Sequence, residues 1–488
     1  MANKKDYSIK IYLNDLIKKN IQNKTLIFIS LGWLIICGSI GMTLDTHLNK
    51  FSGQQNILYY FNGLRVILSF LIIIIFLIWN FFLTNTKTIY SHIFEFNIIN
   101  IYLLYFFSQL IGLFDSYSEN FKYNNLYLLF LALGTLNFII FASKYKFKTS
   151  LKNLFYLLLS LLFFVNFYIL GTKLNEIFEL LMKVKSLYGL TGSNDLIFEQ
   201  AIPKVTGLSR SLAILNLLII IGWFHFRNFF NLVEKNLYIL VIMIISLLIW
   251  TLNSRGSILC YFFGLSIYFF IILNDTFLSK IKYLILFTVV PVVFFLSVVN
   301  LNIPKENNIP KENNILKENI NIIDNNKITN PSKKEYLLDG TRFVGNANNN
   351  FSTGRFELWN YSINNYDTSK IFGYGPQGDR YLLSGKFTHY GSNVSNGFIY
   401  ALLSGGYFGL VFFFLIYVKV IFNILIIISN SKILKKNYTI CCSTIFTCFF
   451  LLRSLVENSF ALFSTDFLIF IISNVLIEKF IKENKLKI

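Results

Sequence analysis

Apolar runs of about twenty residues, parted by short polar breaks, recur nine times before residue 301 and three times after residue 395. About twenty apolar residues in helical conformation cross a hydrocarbon core, so each run predicts one membrane-spanning helix. The predicted spans lie near 25–44, 57–83, 98–114, 125–142, 153–171, 208–226, 237–253, 256–273, 281–300, 396–428, 438–456 and 461–477. The run over 396–428 is too long for one simple crossing, and its first third is expected at the interface. The chain divides accordingly: 1–300 form a first bundle, 301–395 a polar stretch, and 396–488 a second bundle with a basic tail. One large, late, one-sided insertion suits a membrane enzyme that presents a loop to a single compartment better than it suits a transporter.

Composition agrees with the pattern. Hydrophobic residues make up 55% of the chain, mean hydropathy is +0.56, and 14% of residues are charged. A soluble domain carries about 25% charge. The first 24 residues hold six lysines and no small-residue cleavage site follows the first span, which predicts a retained anchor rather than a removed signal peptide.

The net charge of +19 raises the question of nucleic acid, and its distribution answers it. With alternate loops assigned to the cytoplasm, 22 of the 44 Lys and Arg fall there and seven fall in the short loops opposite. That bias is the positive-inside rule, and it predicts cytoplasmic termini with the large loop outside. No nucleic-acid partner is expected; the lipid bilayer is. All five cysteines lie within apolar runs and none in the large loop, so neither a disulfide framework nor a thiolate metal site is implied.

The polar stretch has two textures. Residues 303–320 read IPKENN-IPKENN-ILKENI, a six-residue repeat that runs on into Asn-rich sequence. Nothing there can build a core, so 301–335 is expected to be a flexible spacer. From residue 336 to 395 aromatic and aliphatic residues return. Phe356, Trp359 and Ile363 fall at i, i+3 and i+7, which predicts a short amphipathic helix packed on the membrane or the bundle. Gly373, Gly375 and Gly378 then punctuate a turn back to the membrane.

Candidate chemistry concentrates on arginine. An arginine at a span centre costs about 2.5–3.5 kcal/mol on insertion scales, which makes each one a functional hypothesis. Arg65, Arg210, Arg255 and Arg453 all fall near the outer end of a predicted span, where snorkelling relieves part of that cost. Several guanidinium groups converging on one leaflet form a site for phosphate or pyrophosphate, gripped bidentately by the planar fork. Lys204, Arg355 and Arg380 fall on the same side. Glu457 follows Arg453 by four residues, so an intrahelical pair competes with a catalytic role. Asp466 near the start of the last span is either a cap or a site carboxylate. Of the four histidines only His389 lies in the loop, and with no DxD pair, HExxH or Cys/His cluster a metal site is not expected.

Five stretches, in order, resemble the O-antigen polymerase and O-antigen ligase superfamily of integral membrane glycosyltransferases. They are PKVTGLSRSLA (203–213), NSRG (253–256), GRFELW with FGYG (354–359 and 372–375), SNGFIYALLSGGYFGL (395–410) and RSLVEN (453–458). The resemblance implies an all-α polytopic membrane fold of the class-C glycosyltransferase kind, with about 12 transmembrane helices and one large periplasmic loop. One departure stands out: many members place His before Asn where this chain has Ser395 before Asn396. A histidine there suits a general base, with a pKa near neutrality. Its absence tilts the expectation from ligase toward polymerase, with His389 as a substitute if the loop folds back.

The family likeness implies a polyprenyl-pyrophosphate-linked oligosaccharide as donor, chemistry at the outer face of a bacterial inner membrane, no metal or other cofactor, and room for a chain-length regulator as partner. Arg210, Arg255 and Arg355 are then expected on the leaving pyrophosphate, with Arg453 as donor clamp or partner of Glu457. His389, Glu457 or Asp466 is expected as the base that deprotonates the acceptor. Trp359, Ser395 and Asn396 are expected in substrate binding, and Tyr374, Tyr381 and Tyr390 as sugar-stacking or interfacial residues. A ligase that moves finished glycan is the alternative within the enzyme class. A repeat-unit flippase is the non-enzyme alternative; it predicts short loops throughout and two similar halves, and this chain has neither.

Overall fold

In a computed structural model of the chain, the described residues are 97–114, 126, 128–136, 139, 151–160, 162–163, 206–251, 254–294, 355–383 and 393–486. Predicted spans 25–44 and 57–83, the 301–335 spacer, Arg65, Lys204, His389 and Tyr390 lie outside them, as does the side chain of Arg255.

Helix is the regular structure of the described residues, with no strand among them. The principal helices are α1 (Ile98–Phe114), α2 (Thr206–Phe226), α3 (Leu232–Thr251), α4 (Arg255–Ile267), α5 (Phe277–Leu284), α6 (Arg355–Asn364), α7 (Gly378–Leu383), α8 (Gly397–Ser429), α9 (Tyr438–Arg453) and α10 (Thr465–Glu483). Helices α4 and α5 each run on through one π-helical turn, Tyr268–Ile272 and Ile285–Val289. Four stretches are long and apolar enough to cross a membrane: Leu208–Phe226, Leu232–Trp250, Phe277–Phe294 and Gly397–Ser429. Shorter apolar helices include Ile98–Phe114, Gly256–Ile272 and Tyr438–Arg453.

Burial sorts these helices into a centre and a rim. Thr439 to Phe450 of α9 and Thr465 to Ile477 of α10 are buried at every position. In α3, by contrast, Leu232, Val233, Leu237, Leu240 and Ile244 are all exposed. A largely apolar helix with an open apolar face belongs against lipid. Polar side chains inside the bundle bond across helices: Asn216 of α2 donates to Ser246 Oγ of α3 and to Tyr261 Oη of α4, each at 2.8 Å. Such contacts tie helices together where lipid supplies no hydrophobic drive.

The long 396–428 run is broken rather than straight. Helix α8 kinks at Gly406, whose φ is +64° and ψ is −158°, a conformation essentially reserved for glycine. A Cβ there would sit 1.9 Å from the carbonyl oxygen of Ile371, because the returning loop packs into the kink. The N–H groups of Tyr374 and Gly375 donate to the carbonyls of Leu403 (2.8 Å) and Ser404 (2.9 Å), which the break releases from the helical ladder. Gly373, with φ of +71°, lets the loop turn at this point. The loop glycines therefore serve to dock the polar stretch into a spanning helix.

Candidate functional site

Arg210, Arg355, Arg453, Glu457 and Asp466 gather at one end of the bundle. Arg210 lies in the first turns of α2, Arg355 opens α6, Arg453 closes α9, and Asp466 lies in the first turn of α10. Helix dipoles favour Arg453 and Asp466 where they are, but disfavour Arg210 and Arg355 at positive helix ends by about 0.3–1 kcal/mol each. Helix stability does not account for these two arginines.

Asp466 is the hub. Arg210 Nη1 donates to its Oδ2 at 3.1 Å, and Arg210 Nε lies 3.0 Å from Oδ1 as an ion-pair contact without hydrogen-bond geometry. Ser459 Oγ donates to the same Oδ2 at 3.0 Å. Arg453 Nε stands 3.5 Å from Oδ2, close enough for ion pairing, and makes no hydrogen bond. Arg453 is 4% exposed and Asp466 2%. Two guanidinium groups thus share one buried carboxylate. Asp466 does not cap its helix; Ser464 does, its Oγ accepting from Phe467 N at 3.3 Å.

Arg355 and Glu457 form the second pair. Arg355 Nη2 donates to Glu457 Oε1 at 3.0 Å and Nη1 to the Val456 carbonyl at 2.7 Å. Helix α9 ends at Arg453, so Glu457 turns away from it and meets α6 instead of forming the i, i+4 pair. The face of α6 turned to the protein is Arg355, Leu358 and Ser362, one residue out of register with Phe356, Trp359 and Ile363. Phe356 and Ile363 are exposed, and Trp359 lies between the two faces.

A short turn joins these pairs. Trp359 Nε1 donates to the Val394 carbonyl at 2.7 Å. Asn396 caps α8, its Oδ1 accepting from Phe398 N (2.9 Å) and Ile399 N (3.1 Å), while its Nδ2 donates to the Leu455 carbonyl at 2.9 Å. Gly397 N donates to the Ser454 carbonyl at 2.7 Å, and Asn393 Nδ2 to Asn458 Oδ1 at 3.4 Å. Ser395, in the left-handed region with φ of +48°, hands its N–H to Asn393 Oδ1 at 2.8 Å. Residues 393–397 are stitched to 454–458, the segment that follows Arg453 and carries Glu457.

Two site features escape a reading of the sequence. Ser459 follows a recognisable motif but offers nothing to mark its contact with Asp466. Asp379 had a signal: it is the one acidic residue between 368 and 456. It is 1% exposed, and burial pushes its carboxyl up to about 6. Among the described residues no group of three or more His, Cys, Asp or Glu is placed to hold a metal ion.

Helices of this length and hydropathy, packed around a polar, arginine-bearing end, define an all-α membrane protein. Residues 238–414, somewhat over a third of the chain, match the family model described as O-antigen ligase. The match is consistent with the polymerase and ligase superfamily that the chain's motifs resemble. That family implies an enzyme of glycosyltransferase or ligase type. No curated protein and no solved structure matches the chain. The matched stretch contains Arg255, Arg355, Trp359, Asp379, His389, Ser395 and Asn396; Arg210, Arg453, Glu457 and Asp466 lie outside it.

Proposed function

We propose that this chain is a surface-polysaccharide polymerase of the inner membrane. It transfers a glycan from polyprenyl pyrophosphate onto the next lipid-linked repeat unit at the outer face. About twelve spans, cytoplasmic termini and a periplasmic large loop complete the reading. The observation that carries it is the charge balance at one end of the bundle: three arginines against two carboxylates, with Arg453 buried and its Nε unbonded. A buried excess of positive charge is costly unless an anion completes it. A pyrophosphate does so, and the planar guanidinium forks suit its oxygens.

In the reaction an acceptor hydroxyl oxygen bonds to the anomeric carbon as the bond from that carbon to the pyrophosphate oxygen breaks. The electron pair leaves on pyrophosphate, where Arg210, Arg355 and Arg453 stabilise the developing charge from fixed positions. The hydroxyl proton passes to a base. Glu457 uses only one carboxylate oxygen on Arg355 and fits that role; His389 is the other candidate. Asp466 serves as anchor for two arginines, and Asn396 as framework. Pyrophosphate leaves readily, so no metal or other cofactor is invoked. A chain-length regulator is a natural further partner.

A second reading, ligase, is favoured by the description of the matched family; Ser395 in place of histidine favours polymerase. A glycan ladder from cells lacking this protein, complemented with wild type or Arg355→Ala, separates the readings. Single repeat units on the acceptor with the ladder lost, restored by wild type alone, support a polymerase that uses Arg355. Loss of all surface glycan while lipid-linked polymer accumulates means a ligase. Repeat units held on the inner leaflet mean an exporter.

A further inference from the structure

The turn that joins the two ion pairs is held from beneath by a carboxylate that the mechanism above does not use. Asp379, in the short helix α7, accepts from Val394 N through Oδ2 at 3.1 Å and from Arg380 N through Oδ1 at 2.9 Å. On its other side Val394 gives its carbonyl to the Trp359 indole at 2.7 Å. Val394 is itself fully buried. Ser395 follows in a left-handed conformation that a non-glycine residue keeps only where its surroundings fix it. The next two residues, Asn396 and Gly397, make the bonds to the Leu455 and Ser454 carbonyls.

We propose that Asp379 is a positioning residue: its buried carboxylate, acting through Val394, fixes the 393–397 turn against the segment of Arg453 and Glu457 and so sets the geometry of the charged site. The proposal rests on the reading of that site as the place of glycan transfer. The charged and titratable groups that face Asp379 are Arg380 from its own helix, Tyr400 from α8 and Tyr105 from α1. None of them offers a carboxylate that could replace it at Val394.

The ionised carboxylate accepts both N–H groups, whereas the protonated acid loses part of its accepting capacity. Burial raises its pKa to about 6, and the Val394 N–H opposes that rise. If the Val394 bond opens while the carboxyl stays buried, the pKa climbs further. The opened turn then binds the proton more tightly, and acid favours opening. The sign is the reverse for the whole fold. The folded pKa exceeds the usual carboxylate value, so proton uptake at Asp379 below about pH 6 adds to global stability. Local loosening without global destabilisation separates this role from a merely structural one.

The test is amide hydrogen exchange of the purified full-length protein in lipid nanodiscs, followed at 393–397 and corrected for intrinsic rates. Wild type is expected to lose about tenfold of its protection at Val394 between pH 7.5 and 5, as a charge-assisted bond weakens. Asp379→Asn should show the low protection at both values. Trp359→Phe should lower protection but keep the pH response. A pH-independent wild type, protection that rises with acid, or an Asp379→Asn protein that titrates like wild type overturns the proposal. If Asp379→Asn does not fold, wild type and Trp359→Phe decide it. In cells Asp379→Asn should shorten or abolish the glycan ladder, and a full ladder with a loosened turn also overturns the proposal. If the wild-type gene restores no ladder at all, the polymerase reading fails, while the exchange result still reports on the hold.

Discussion

The two ends of the helix bundle handle charge differently. At the end away from the site, Arg227 meets Asp275 fork to fork, both contacts at 3.3 Å, one cation to one anion. At the same end, Glu478 takes the N–H of Ile98 at the start of α1, the amide of Asn423 and a longer contact from Lys419. Asp275 there closes on one guanidinium, and Glu478 lies in the field of Lys419 and Lys482; both carboxylates close structural joints. At the site end Asp466 answers to two arginines, and one guanidinium nitrogen in a buried setting has no hydrogen bond. A joint between helices closes its guanidinium on a carboxylate through hydrogen bonds, as Arg227 does on Asp275, whereas a site for an anion leaves a buried guanidinium nitrogen open, as at Arg453. On the proposed function, that open nitrogen points to the donor site more plainly than the number of arginines does.

The strongest way to break that contrast is to remove the hub. Asp466→Ala leaves the buried Arg453 and the partly exposed Arg210 without their carboxylate and should cost about 3–5 kcal/mol together with all polymer synthesis. Thermal unfolding in detergent and membrane abundance measure the first part, and the glycan ladder the second. Adding Arg453→Met to Asp466→Ala should recover part of the lost stability, because one of the orphaned charges is gone. Arg453→Met alone sharpens the contrast from the other direction. It leaves Arg210 and Asp466 as a balanced pair, so stability should hold within about 1 kcal/mol, while loss of a preorganised charge should slow transfer by about 10²–10³-fold. Initial rates of polymer formation in membrane vesicles check the second figure. The smallest effect belongs to the opposite end. Asp275→Ala breaks a partly exposed pair and should cost at most about 1 kcal/mol, with the ladder unchanged.

Much of the helical frame is legible in the sequence. The run over 98–114 is helix α1 to the residue, and α2, α3 and α4 start or stop within a few residues of the hydropathy limits. Apolar length reports spans well because lipid demands closed backbone hydrogen bonding over a fixed thickness. The kink in α8 is only half legible. Excess length set the first third of the run apart from a simple crossing, but the break at Gly406 and the docking of the FGYG loop depend on carbonyls that only a folded chain brings near.

Charge pairing is the least legible part. Sequence spacing offers Arg453 to Glu457 as neighbours on a helix, and that pairing fails because the helix stops at Arg453. Arg210 and Asp466 lie 256 residues apart and meet only when α2, α9 and α10 pack. The amphipathic face of α6 is set by where Arg355 finds Glu457 and Val456, a partnership from the far end of the chain, so the buried face lies one residue from the apolar one.

Binding of a short-chain polyprenyl pyrophosphate to the purified protein tests most directly whether the arginine end is the donor site. Wild type and Arg227→Ala should bind it alike, and Arg453→Met and Arg355→Ala should weaken it at least about tenfold, as the loss of a charge-assisted contact requires. Unchanged binding by Arg453→Met, or loss of binding in Arg227→Ala, would contradict that assignment.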